Sequence, residues 1–151
     1  MKLVFVKIGK LAHRPVGDLV EEYEARLAHF ARVDVIYLKQ SGEKIDTATA
    51  DRLDGLVKNS DFTVALDATG KSVSSEELAA RLDRWINIEG QRTVTFFVGG
   101  AFGFPASFAE KADFCWSLSK ATFPSDLAWL LAFEQVYRAY TINKGIKYHH
   151  A

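Results

Sequence analysis

Short apolar runs alternate with amphipathic stretches five times along this chain, and few folds accept that pattern. "KLVFVKI" (2–8), "VDVIYL" (33–38), "FTVALD" (62–67), "TVTFFV" (93–98) and "FCWSLS" (114–119) are strand-like. Between them, helix-period segments are expected at 15–30, 47–58, 75–88 and 105–112, and a last helix at 125–142. Leu19, Tyr23, Leu27 and Phe30 fall on one stripe of the first helix. Leu78, Leu82, Trp85 and Ile86 do so on the third, which Ser74 and Glu77 open as a capping box. Leu127, Leu130, Leu131, Phe133, Val136, Tyr137 and Tyr140 give the last helix a broad apolar arc. Strands alternating with helices predict an α/β fold, a mainly parallel sheet flanked by helices on both faces.

A chain of 151 residues, 48% hydrophobic, is the size of one domain, expected to cover 1–151 without a linker or repeat. No apolar run reaches the ~20 residues that span a bilayer. "MKLVFVKIGK" has Lys7 inside its only apolar run and reads as a first strand rather than a signal peptide. The lone Cys115 excludes an internal disulfide and a cysteine-based zinc cluster, which fits a cytoplasmic protein. The 19 Lys+Arg balance the 19 Asp+Glu, so no general basic face is expected to grip nucleic acid. After Glu134, however, no acid follows, whereas Arg138, Lys144, Lys147, His149 and His150 do. That run is either a solvated tail or a phosphate-facing edge.

In parallel sheets, ligands bind outside the carboxyl ends of the strands. Three loops meet that condition: "LDATGKS", "GGAFGF" and "SKATFPSD". Gly99 and Gly100 imply a close approach to bare backbone, either by a turn or by a ligand. The loops match neither nucleotide fingerprint. The paired glycines follow the fourth strand rather than the first, and the upstream glycine that a phosphate-binding loop ending in "TGKS" needs is missing. His149 and His150 are adjacent and His13 and His29 isolated, so no metal site is expected. Asp67 at a strand end is either catalytic or the cap of a turn.

"FFVGGAFG", "WSLSKATFP" and "FEQVYRAYTINKGIKYHH", in that order, resemble the RlmH family of SPOUT-class methyltransferases. The likeness extends to "MKLVFVKIGK", "EEYEARL" and "LDATGKSVSSEELA", and so spans nearly the whole chain. It implies a C-terminal trefoil knot, S-adenosyl-L-methionine as cofactor, and a homodimer in which each protomer completes the other's site. It also implies methylation of ring nitrogen 3 of a pseudouridine in 23S ribosomal RNA, on the assembled ribosome. Carried over by position, the cofactor contacts are Leu66, Gly99, Leu118, Ser119, Lys120, Ala121, Thr122 and Phe123. The catalytic candidates are His149 as base or ring orienter, Tyr148 as stacking or hydrogen-bonding partner, and Arg138 facing a phosphate or a developing anion. Arg138 alternatively pairs with Glu134 one turn back. No metal and no membrane contact are implied.

The chain departs from the resemblance in one place. Ser125, Asp126 and Trp129 stand where the family has His, Gln and Arg. Asp126 adds a negative charge beside the cofactor loop, and Trp129 offers either a stacking face or a dimer contact. The alternatives this leaves are a knotted enzyme acting on another RNA and a dimer that binds RNA without turnover.

Overall fold

The computed structural model describes residues 1–150. Five strands form, β1 (Lys2–Ile8), β2 (Arg32–Leu38), β3 (Phe62–Ser72), β4 (Thr93–Val98) and β5 (Phe114–Ser117). They make one sheet in the order β2-β1-β4-β3-β5, with every neighbouring pair parallel. Between them lie α1 (Arg14–Leu27), α2 (Thr47–Lys58), α3 (Ser75–Asp83) and α4 (Phe108–Lys111), and α5 (Ser125–Asn143) closes the chain. The parallel α/β architecture expected from the alternation is present.

Strand periodicity divides the core. In β1, Leu3 and Phe5 face one side and Val4, Val6 and Ile8 the other. The first side is covered by α1, α3 and α5, with Phe5 stacked on Phe133 at 3.9 Å between ring centroids. The second side is smaller and packs Leu53 of α2 and Phe108 of α4 against Phe97.

Several boundaries differ from expectation. β3 does not stop at Asp67. It continues to Ser72, with a register break against β5 between Leu66 and Lys71. The excursion is possible because Gly70 sits against the β5 backbone, where a Cβ would lie 2.6 Å from the Cys115 carbonyl oxygen. β5 ends at Ser117, which leaves Leu118 and Ser119 in the following loop. The third helix begins at its capping box, with both Ser74–Glu77 hydrogen bonds formed. It then widens into a π-helical turn over Arg84–Ile88.

The apolar arc expected on α5 is rotated. The buried stripe is Asp126, Trp129, Ala132, Phe133, Val136, Ala139 and Tyr140, while Leu130 and Leu131 are half-buried and Leu127 is 42% exposed. A helix apolar over most of its circumference has little amphipathic signal, so sequence alone does not select the core-facing side. Leu19 of α1 is likewise exposed, and Val20 is buried in its place.

Candidate functional site

The register break of β3 and the carboxyl ends of β4 and β5 converge on one cleft of about 470 Å³, within the range of roughly 300–1,000 Å³ typical of small-molecule sites. Leu66, Asp67 and Ala68 come from β3, Val98, Gly99 and Gly100 from the end of β4, and Trp116, Leu118 and Ser119 from β5 and its loop. Ala121, Thr122, Phe123 and Pro124 continue the wall to Ser125 and Ala128 at the start of α5. All of the expected cofactor positions line this cleft except Lys120, which is exposed. The 118–123 loop is held in shape from within. Ser117 Oγ donates to the Ser119 carbonyl at 2.8 Å, and Ser119 Oγ accepts from the Ala121 N–H at 3.0 Å. Asp67 caps a turn, accepting from the Thr69 N–H and hydroxyl at 2.9 and 2.6 Å.

The glycines after β4 serve the chain itself. Gly103 N–H donates to the Gly100 carbonyl at 3.0 Å, and Gly103 has φ 73°, a conformation that favours glycine. A Cβ on Gly99 would lie 3.0 Å from the Gly103 backbone. One on Gly100 would lie 2.7 Å from the Ile8 carbonyl oxygen and 2.4 Å from Gln40 Oε1. The close approach that the sequence implies is therefore made by the turn and by the end of β1. Gly100→Ala is expected to lose about 1–3 kcal/mol of stability through forced backbone displacement. Urea denaturation of the two proteins measures this, and an unchanged midpoint would contradict the packing described.

Two of the three departures from the family pattern, Trp129 and Asp126, occupy the interior rather than a binding surface, and the third, Ser125, lines the cleft. Trp129 is fully buried between Phe5, Tyr37 and Phe133, and its indole N–H donates to the Tyr37 hydroxyl at 3.3 Å. It is neither an exposed stacking face nor a dimer contact, because the rotated stripe of α5 turns it inward. Asp126 Oδ2 accepts from the Ala12 and His13 N–H groups at 2.9 Å each and meets His13 Nδ1 at 2.8 Å. Its Oδ1 lies 3.7 Å from Lys7 Nζ. Burial pushes the Asp126 carboxyl up, but the hydrogen bonds from His13 and Ala12 and the Lys7 charge outweigh it and hold the group below the usual carboxylate range. The added negative charge is thus neutralised internally. His13, isolated in sequence, belongs to this cluster, as does Lys7. The one local signal for Lys7 is a lysine inside an apolar strand.

Arg138, Tyr148 and His149 form a second cluster, away from the cleft. Arg138 Nε and Nη2 donate to Glu134 Oε1 at 3.0 and 2.5 Å, so the expected one-turn pair exists. Its guanidinium lies over the Tyr148 ring, 4.7 Å from the centroid. The Tyr148 hydroxyl donates to Glu134 Oε1 at 2.9 Å and lies 3.0 Å from the Tyr23 hydroxyl. Burial pushes the Tyr148 phenol above its ordinary value, and its hydrogen bonds to Tyr23 and Glu134 push it further. Arg138 Nη1 lies 3.1 Å from His149 Nδ1, and Glu76 Oε1 lies 2.8 Å from His149 Nε2. Arginine only donates, so Nδ1 is the acceptor and Nε2–H donates to Glu76. Both ring nitrogens are therefore occupied. Glu76 and Tyr23 escaped the sequence reading, because no local pattern ties them to the tail. Ser125 and Arg138 are 13 positions apart on α5, which at 1.5 Å per residue separates cleft and cluster by about 20 Å along the axis.

Among the described residues no group of His, Cys, Asp and Glu could hold a metal ion, and no helix is long and apolar enough to cross a membrane. Residues 1–149 match the family model described as a predicted SPOUT methyltransferase. The chain is 40% identical to the ribosomal RNA large subunit methyltransferase H of Desulfotalea psychrophila, over 99% of both chains. It is 34% identical to the protein of that name from Carboxydothermus hydrogenoformans, again over 99% of both. A solved structure of a probable methyltransferase from Bordetella pertussis shares the fold, with a TM-score of 0.57 at 11% identity over 91% of this chain and 95% of that one. The sheet order, the cleft at its carboxyl edge and these full-length matches lead to one conclusion: the chain belongs to the RlmH family of SPOUT methyltransferases.

Proposed function

We propose that this protein uses S-adenosyl-L-methionine to methylate ring nitrogen 3 of a pseudouridine in 23S ribosomal RNA. It acts on the assembled ribosome in the cytoplasm, as a homodimer of single domains whose C-terminal segments are knotted. One observation carries this function: a cleft of about 470 Å³ at the register break of β3 and the carboxyl ends of β4 and β5 collects nearly every position that the family pattern assigns to the cofactor. The donor set suits a nucleoside joined to an amino acid. Leu66, Val98, Trp116, Leu118 and Phe123 offer apolar walls, and the loop backbone beside them offers hydrogen-bonding groups.

When bound, S-adenosylmethionine supplies a methyl group already activated on sulfonium. The chain's own task is alignment, which can contribute about 7–11 kcal/mol when the reacting atoms are held at ~3–3.5 Å. The tail cluster offers a cation and no free base. His149 has no vacant nitrogen and the Tyr148 proton is held by Glu134. His149 and Tyr148 accordingly orient the uracil ring, the imide proton passes to water, and Arg138 stabilises the anionic nitrogen that accepts the methyl group. With about 20 Å between cleft and cluster along α5, the tail acts on the cleft of a second protomer. Exposed Leu127, beside the cleft residues Ser125 and Ala128, gives that protomer an apolar contact.

The alternatives of another RNA or a non-catalytic dimer drew on the altered 125–129 patch. Trp129 and Asp126 are buried and internally partnered, so neither supports a new RNA surface. Mass spectrometry of ribosomal RNA from a strain lacking the gene is expected to show one pseudouridine without its methyl group. The purified protein with S-adenosylmethionine restores it on ribosomes and acts poorly on a free oligonucleotide, because a chain of zero net charge lacks a general phosphate grip. Unaltered methylation in the deletion strain would refute the assignment.

A further inference from the structure

β1 carries a charged side chain into the core. Lys7 follows Leu3 and Phe5 on the face that α5 covers, and only 1% of it is exposed. Burial lowers its pKa, against the attraction of Asp126, which raises it. A charge this deep persists when it is paired and hydrogen-bonded. Its ammonium lies 3.7 Å from Asp126 Oδ1, 3.5 Å from the Lys10 carbonyl and 2.9 Å from Ser125 Oγ. An ammonium has donors and no acceptor, so Lys7 donates and the serine oxygen accepts. The serine's own proton is then directed to the Gly99 carbonyl, 2.8 Å away. Gly99 and Ser125 line the cleft, whereas Lys7 and Asp126 do not. A cation outside the cleft thus sets the direction of a hydrogen-bond chain that ends in its wall.

We infer that Lys7, held by Asp126, is a positioning residue for the methyl donor. It orients Ser125, Ser125 pins the Gly99 carbonyl, and the wall beyond β4 is formed before the donor arrives. Preforming a site removes the ordering that binding would otherwise require. The arrangement occupies the positions where the family pattern has His and Gln, and it is built from this chain's own Lys7, Ser125 and Asp126. The role presupposes that the cleft holds the donor.

The test is calorimetry with S-adenosylhomocysteine, together with separate KM values for donor and ribosome. Ser125→Ala is expected to weaken binding and raise the donor KM about tenfold, the scale of one hydrogen bond assisted by charge. The ribosome KM stays within about twofold, because the interaction lost is made to the donor side alone. Ser125→Thr keeps the hydroxyl and is expected to bind within about threefold of the parent. Lys7→Met combined with Asp126→Asn removes both buried charges together. In that background Ser125→Ala is expected to add less than about threefold, because residues acting in one network are not additive. A full further loss there, or equal weakening by Ser125→Ala and Ser125→Thr, overturns the role. The Ser125 pair decides the matter if the double-charge variant does not fold. Parental affinity in Ser125→Ala overturns the role while leaving the cleft as the donor site. No binding by the parent overturns both.

Discussion

Asp126→Ala is expected to destabilise the protein by about 3–5 kcal/mol, the scale for removing one partner of a buried ion pair. The variant leaves Lys7 charged in the core and frees the Ala12 and His13 N–H groups that the carboxylate now accepts. Against a typical total of about 5–15 kcal/mol, this is a large share. At roughly 2–4 °C per kcal/mol for a chain of this size, the melting temperature falls by about 10 °C. Asp126→Asn, which keeps an acceptor, loses less. The same carboxyl makes stability depend on acid. Its folded pKa is depressed, so its contribution is complete above the unfolded value near ~4 and is lost as pH falls through the folded value. Urea midpoints between pH 3 and 7 are expected to fall on acidification in the parent, and Asp126→Ala lacks that component. A loss below about 1 kcal/mol at pH 7 would mean that the pair is not closed in solution.

The second large effect is catalytic. Arg138→Ala is expected to reduce kcat/KM about 10²–10³-fold, as when one donor to a developing oxyanion is removed. Donor affinity stays near the parent's, since the role proposed for Arg138 is toward the anionic nitrogen of the RNA and not toward the methyl donor. Gly99→Val is expected to disable the cleft instead, through the turn that packs on it. A homodimer with shared sites then makes a distinctive demand. Equal mixing of Arg138→Ala and Gly99→Val protomers gives half heterodimers, each with one intact site, and so restores about a quarter of parental activity. Two inactive proteins that stay inactive after exchange of subunits would place cleft and tail within one protomer.

Much of this was legible from local rules. The five apolar runs, the Ser74–Glu77 box and the convergence of three loops on one sheet edge follow from periodicity and capping. Assigning positions in the cleft needed the family pattern as well, since glycines after β4 announce a tight approach without saying what approaches. What escaped is non-local. Lys7 and Asp126 lie more than a hundred positions apart, and neither residue type suggests a buried pair by itself. Trp129 was open to several interpretations because α5 is apolar around most of its circumference, and only packing against Phe5 and Phe133 selects the inward side. The extension of β3 beyond Asp67 depends on Gly70 meeting Cys115, a contact between two strands that no single stretch records.

The strand order has a consequence for how the protein is made. As the chain is synthesised, β1 can pair with β2 early, but its other edge stays open until β4 emerges. β3 is made before either of its neighbours and has nothing to pair with until then. Phe5 gains Phe133 only after another 127 residues have been added to the chain. The nascent chain therefore carries an unfinished apolar sheet edge through most of its production, the condition in which strands are most prone to pair with other molecules. Productive folding is completed late and over long sequence separations, which makes its rate slow for a chain of this length.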